Sequence, residues 1–117
     1  MVDPGAALWE KRGGAILTPR GRMFFVALCM DKPGHVDTRL STRPAHLAFL
    51  EAAGGKVRLG GPFLDPAGEK PIGSLLILEC DNEAEARALL AGDPYAKAGL
   101  FESVDVKPWR RAIGVEL

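Results

Sequence analysis

Few residues in this chain can do chemistry at neutral pH. His46 sits among apolar neighbours in the stretch His46-Leu47-Ala48-Phe49-Leu50, shortly after Arg43 and Pro44. An unperturbed imidazole ionises near neutrality, so a histidine held in a cleft can take up a proton and return it. Asp93, in Gly92-Asp93-Pro94-Tyr95, is the natural carboxylate partner, because both residues are expected beside helix starts. A carboxylate on one ring nitrogen fixes the tautomer and supports the imidazolium once a proton arrives. The positive end of a helix dipole would oppose that charge. Around this pair, Arg43 could hold an anionic group, Ser74 could face the same cleft and Tyr95 could wall it. Gly61 and Pro62 could bring backbone close to a ligand. Each has a plainer reading. His46 would be a buried, hydrogen-bonded histidine, Asp93 a helix cap and Arg43 a surface arginine. Ser74 would be an ordinary strand residue, Gly61-Pro62 a strand end and Tyr95 a packed ring. The residues alone leave both sets open.

Other chemistries find little support. His35 lies in a Pro-Gly loop and is expected to be solvated, and two histidines without ligand-like spacing make no metal site. There is no phosphate-cradling glycine loop and no dinucleotide fingerprint, so no cofactor is expected. Cys29 and Cys80 both fall inside apolar runs. They read as small buried hydrophobes in a reducing cytoplasm, not as a disulfide or zinc pair. Fifteen basic residues balance fifteen acidic ones among 117, which gives no field to recruit nucleic acid or an anionic membrane. No apolar run reaches the roughly 18 residues needed to span a bilayer.

The elements that must position these residues follow in order. Residues 1–22 are rich in glycine and poor in apolar residues, with only Ala15 to Leu17 able to pack. They are expected to form a flexible extension, with Met23 as a candidate start of translation. Met23 to Met30 is apolar throughout and of strand length. A loop through His35, Val36 and Asp37 leads to a helix expected to start near Ser41 or Thr42. Pro44 would then sit in the first turn, where a missing N–H is harmless. In this helix Leu47, Leu50 and Gly54 share a stripe bordered by His46 and Ala53, and Gly54-Gly55 ends it. Lys56 to Leu59 alternates polar and apolar residues and should be closed by Gly60-Gly61-Pro62. Gly73 to Cys80 is the second continuous apolar strand. Asn82 and Glu85 have capping-box spacing for a helix ending at Gly92. Asp93 and Pro94 start a further short turn, and Phe101 to Lys107 is a last alternating strand. Residues 112–117 are a tail.

The order strand, helix, strand, strand, helix, strand is that of an α+β, ferredoxin-like βαββαβ fold with an antiparallel sheet. That topology puts its first and third strands in the centre, where the two continuous apolar runs fall, and the alternating strands at the edges. Both helices cover one face, so the other face of two fully apolar strands needs a cover. A second copy of the chain, packed sheet on sheet, is the expected one.

The residues that carry a family likeness are now in view. Arg39 to Leu47 (Arg-Leu-Ser-Thr-Arg-Pro-Ala-His-Leu), Gly61-Pro62, Gly73-Ser74, Asp93 to Gly99 and Val106 to Trp109 resemble the YciI-like (YCII-related) family, in its order and spacing. The resemblance runs from about Met23 to Trp109. It implies a domain over residues 23–111 that forms a dimeric α+β barrel, with a cleft holding a His–Asp pair. Carried onto this chain the pair is His46 and Asp93, with Ser74 as a neighbour. Similar barrels include isomerases and cofactor-free oxygenases of aromatic or quinone-like compounds, and one branch holds a dehydrochlorinase of a chlorinated hydroxyquinone. The expected function is cofactor-independent acid–base chemistry, elimination or isomerisation, on a small molecule. His46 would be the base, Asp93 its support, and Arg43 or backbone N–H groups the holders of an oxyanion. The alternatives are a non-catalytic module that binds a small metabolite or assists a partner enzyme, and a His–Asp bond that serves only the fold.

Overall fold

The computed structural model describes residues 9–117. Residues 1–8 of the expected extension lie outside the described residues. The elements are β1 (Glu10–Arg12), β2 (Ala15–Leu17), β3 (Met23–Asp31), α1 (Val36–Ala52), β4 (Val57–Leu64), β5 (Pro71–Cys80), α2 (Glu83–Ala91), α3 (Pro94–Lys97) and β6 (Phe101–Trp109). Strands β3 to β6 form one antiparallel sheet in the order β4-β5-β3-β6. The expected α+β, ferredoxin-like topology is present. The two apolar runs are the central strands, each paired along both edges.

Alternation decides what each strand residue meets. Phe25, Ala27 and Cys29 of β3 and Leu76, Leu78 and Cys80 of β5 point to the helix side. There they form a core with Ala86 and Leu90 of α2. Their neighbours Val26, Leu28 and Leu75 point to the other face and are only half-buried. On that face Val26, Leu75, Ile77, Pro108 and Trp109 line a shallow depression of about 400 Å³. Asn82 caps α2 as expected, its side chain accepting from the Glu85 N–H at 2.8 Å, while Glu85 reaches back to the Asp81 N–H. Among the described residues no helix is long and apolar enough to cross a membrane.

Three expectations need correction. Helix α1 starts at Val36, well before Ser41 and Thr42, with His35 at its N-cap and Asp37 in its first turn. Pro44 therefore lies in the helix interior, where it removes the N–H that would bond the Leu40 carbonyl at a cost of about 3 kcal/mol. Pro44 and Leu40 are both exposed, so water can serve that carbonyl. Strand β4 runs through Gly60-Gly61-Pro62 to Leu64, so the triplet does not end it. Proline is tolerated there because β4 is an edge strand, bonded only to β5.

The third correction concerns the extension. Its described part, residues 9–22, holds the antiparallel hairpin β1–β2, with Arg12 opposite Ala15 across a Gly13-Gly14 turn. Both glycines have positive φ, 54° and 87°, as a tight hairpin turn requires. Beside the hairpin, the Trp9 ring packs edge-on against Phe24, 5.5 Å between centroids. Polar anchors reach the open face of the sheet: buried Glu79 accepts from Thr18 Oγ1 and, at 2.6 Å, from Arg20 Nε. Arg20 also donates to the Leu117 carbonyl at 2.8 Å, tying in the tail.

Candidate functional site

The site is built on α1. His46 and Arg39 are its only two buried residues. They lie seven residues apart, two turns along one face of the helix. Leu47 and Leu50 of the stripe line a cavity, and Leu50 also packs against the core. That cavity, about 350 Å³, lies between α1 and the sheet and is mainly apolar. His46, Arg43, Ser74, Gly61, Pro62 and Tyr95 all line it.

His46 and Asp93 meet. The ring Nδ1 lies 2.8 Å from Asp93 Oδ1 and 3.0 Å from Oδ2. Since the carboxylate can only accept, Nδ1 carries the proton, and Nε2 is the nitrogen left for the cavity. Asp93 is 1% exposed and does not line the cavity, so it stands behind the imidazole. It also caps α3, with Oδ1 accepting from the Tyr95 N–H at 2.9 Å. That is the cap expected of an Asp-Pro start. The expected opposition from the helix dipole does not apply. His46 lies in the third turn of α1, beyond the first turn in which that field acts. The imidazole is held from a second side by Tyr95, stacked on it with 3.9 Å between centroids and 19° between planes.

Tyr95 both walls the cavity and packs: it is 1% exposed, and burial pushes its phenol up from its ordinary ionisation range, against the lowering effect of Arg39. Arg43 is exposed beside the cavity. Ser74 is 3% exposed on β5, opposite Pro62 of β4. Its neighbour Gly73 is dictated by packing, since a Cβ there would lie 2.7 Å from the Cys29 carbonyl. Gly60 is the close approach within the glycine pair: a Cβ would lie 2.6 Å from Leu76 Cδ2, whereas Gly61 has open space. His35 is half-buried rather than solvated, with Nδ1 donating to the Pro33 carbonyl at 2.9 Å.

Sequence reasoning missed Arg39 and Asp31. Arg39 donates through Nε and Nη2 to the two Asp31 oxygens at 2.6 and 2.8 Å, and through Nη2 to Ser74 Oγ at 2.9 Å. Its guanidinium carbon lies 4.5 Å from the centre of the Tyr95 ring. Burial disfavours the charge, but the Asp31 hydrogen bonds and charge outweigh it and hold Arg39 above its ordinary range. The spacing of Arg39 to His46 was a readable signal. It is masked by Ser41, Thr42 and Pro44, which resemble a helix N-terminus although the helix starts at Val36.

Comparison with known proteins agrees with this architecture. The YCII-related domain matches residues 23–110. Protein YciI of Escherichia coli O6:H1 is 38% identical over 96 residues, covering 76% of this chain and 98% of that protein. The chain belongs to the YCII-related family. Among solved structures this YCII-related domain is similar to the 5-chloro-2-hydroxyhydroquinone dehydrochlorinase TftG of Burkholderia phenoliruptrix AC1100, in complex with 2,5-dihydroxybenzoquinone. The TM-score is 0.72 at 34% identity, over 77% of this chain and 96% of that one. A protein of Bacteroides thetaiotaomicron provisionally named an antibiotic biosynthesis monooxygenase shares the fold alone. It has a TM-score of 0.53 at 11% identity, over 82% of this chain and 95% of that one. Small-molecule catalysis fits this company. The hairpin β1–β2 lies outside the matched domain.

Proposed function

We propose that this YCII-related domain is a small enzyme of acid–base chemistry, an eliminating or isomerising enzyme, with His46 as its base. The observation that carries the reading is the orientation of His46: Nδ1 is bound to buried Asp93 while the ring borders a largely apolar cavity. Neutral Nε2 takes a proton from an acidic O–H or carbonyl-activated C–H. The electron pair left behind either expels a leaving group from a neighbouring carbon or recaptures the proton at a different one. The imidazolium is held against the Asp93 carboxylate until it gives the proton up. Arg43 lies where it can attract an anionic substrate. The cavity volume and its leucine and proline walls suit one aromatic or quinone-like ring, and the likeness to a chlorohydroxyhydroquinone dehydrochlorinase supports that class.

The test is release of chloride from chlorinated hydroxyhydroquinones, followed with an ion-selective electrode. His46→Gln is expected to abolish turnover while the ligand still binds. Turnover left unchanged by that substitution overturns the reading. We also propose that the domain works as a two-fold dimer joined over the open sheet face, where Val26, Leu75 and Trp109 stand without cover from the helices. Sedimentation equilibrium at micromolar concentration is expected to show the dimer, and a stable monomer rules it out.

A further inference from the structure

Ser74 is placed to do more than line the cavity. A hydroxyl offers one proton and can accept through its oxygen. Arg39 cannot lose its proton in a protein, so its contact with Ser74 Oγ at 2.9 Å has only one direction: Arg39 donates and the serine accepts. Among the described residues no acceptor receives the Ser74 proton. Ser74 is 3% exposed and borders the cavity, so a buried donor remains there for a ligand. A buried O–H without an acceptor is costly, which makes an acceptor atom the natural complement.

The groups behind Ser74 make that donor stronger. Arg39 is clamped by Asp31 on β3, and the two side chains are 4% and 7% exposed. Asp31 neutralises the guanidinium, so its charge can stay buried, and the Tyr95 ring restrains its position. A cation that donates to a hydroxyl oxygen polarises the O–H, and a polarised donor favours an ionised acceptor over a neutral one. The arrangement parallels the other side of the cavity. There Asp93 sets His46 as an acceptor, and here Asp31 and Arg39 set Ser74 as a donor.

We infer that Ser74 is the oxyanion-binding donor of this cavity, held in that role by Arg39 and Asp31, and that the ligand is a phenolate or enolate on a small planar ring. The inference deepens the proposed function by naming where the developing oxyanion sits, and it does not depend on His46 acting as a base. Ser74 touches the ligand; Arg39 also borders the cavity, but its Nε and Nη2 donate to Asp31 and Ser74, so it serves as a positioning residue.

The experiment uses the full chain with 4-nitrophenol, whose ionisation is read by its visible absorbance, and with nitrobenzene as the uncharged analogue. The parent protein is expected to bind nitrophenolate in preference to nitrobenzene and to lower the apparent pKa of the bound phenol. Ser74→Ala should bind nitrobenzene as the parent does and lose about ten-fold or more of the phenolate preference, as expected for a deleted hydrogen bond to a charged group. Ser74→Cys, a weak donor of similar size, should fall close to Ser74→Ala. Arg39→Lys should leave nitrobenzene binding intact and shift the bound phenol's ionisation only part-way. His46→Gln removes the proton acceptor and should cost its own share of the preference, while adding Ser74→Ala on that background should still remove about ten-fold more, so a failure of the base assignment and a failure of this inference give different results. The inference is overturned if Ser74→Ala keeps the full preference, whether in the parent or on the His46→Gln background. It is equally overturned if the parent prefers neither probe or binds neither at millimolar concentration.

Discussion

Replacing Asp93 with asparagine separates the work this residue does for the fold from the work it does for His46. The carboxylate receives the Tyr95 N–H on Oδ1 and the His46 Nδ1–H on both oxygens, at 2.8 and 3.0 Å. With its carbonyl at the Oδ1 position, asparagine can keep the helix cap. Its amide then stands where Oδ2 was, presenting donors to an Nδ1 that is itself a donor. That 3.0 Å contact becomes repulsive, so Nδ1–H is left with the weaker bond to the Oδ1 carbonyl or the ring moves its proton to Nε2, which removes the lone pair facing the cavity. In both cases the imidazolium formed in turnover loses its counter-charge. The lost charged hydrogen bond predicts destabilisation of about 1–3 kcal/mol, read from urea denaturation. The lost base predicts a fall in turnover of roughly 10²–10⁴-fold, the usual range for acid–base assistance. KM should change little, because Asp93 does not line the cavity. Long-range ¹⁵N–¹H NMR of the ring nitrogens reports the tautomer without any substrate. A variant with the parent's turnover refutes the functional part of the argument, and one with the parent's stability refutes the structural part.

Two further substitutions or conditions have clear signs. Pro44→Ala restores a helix-interior N–H to the Leu40 carbonyl on an exposed face. Against the roughly 3 kcal/mol cost of an interior proline stands a gain of about 0.4–1 kcal/mol in unfolded-chain entropy, so a net stabilisation of about 2 kcal/mol is expected. A urea midpoint that stays put or falls contradicts this. Alkaline pH should weaken the fold: burial pushes the thiol of Cys29 up to about 12 and that of Cys80 up to about 11, from 9.0. A group whose folded pKa is raised contributes stability that is complete below its unfolded pKa. That contribution is lost as the pH climbs from about 9 through the folded values. Denaturation midpoints should therefore drop between pH 8 and pH 11, more in the parent than in a Cys29→Ala, Cys80→Ala chain. Iodoacetamide should label neither cysteine at pH 8 unless the protein is first unfolded.

What could be read from the sequence was the part set by near neighbours and by apolar pattern. The continuous runs of β3 and β5 had to be central, and the pairing bears this out. Asp93 was legible as a cap because Asp-Pro before a helix is a local signal with one physical meaning. The hairpin turn was also legible, in Gly13-Gly14, but the segment has few apolar residues to mark it as packed. Its anchors are polar, Thr18 and Arg20 on Glu79, and they lie at sixty or so residues' separation, out of reach of any local pattern.

The early start of α1 and the importance of Arg39 were hidden by one and the same cause. Ser41, Thr42 and Pro44 look like a helix N-terminus, and in an isolated segment that reading would be sound. In the folded chain the first two turns gain what local sequence does not supply. Arg39 on α1 is tied to Asp31 at the end of β3 and to Ser74 on β5, so the helix is extended backwards by a buried ion pair across the sheet. The other buried residue of the helix, His46, is tied to Asp93 ahead of α3. Besides the apolar contact of Leu50 with the core, helix α1 is thus docked at two polar points, and both border or support the cavity. Such contacts are weak sources of stability compared with apolar packing, yet breaking one leaves a buried charge or donor without its partner. A helix fixed in this way holds Nε2 of His46 and the hydroxyl of Ser74 in register with each other. Changes that loosen either anchor should therefore disturb ligand preference before they unfold the domain.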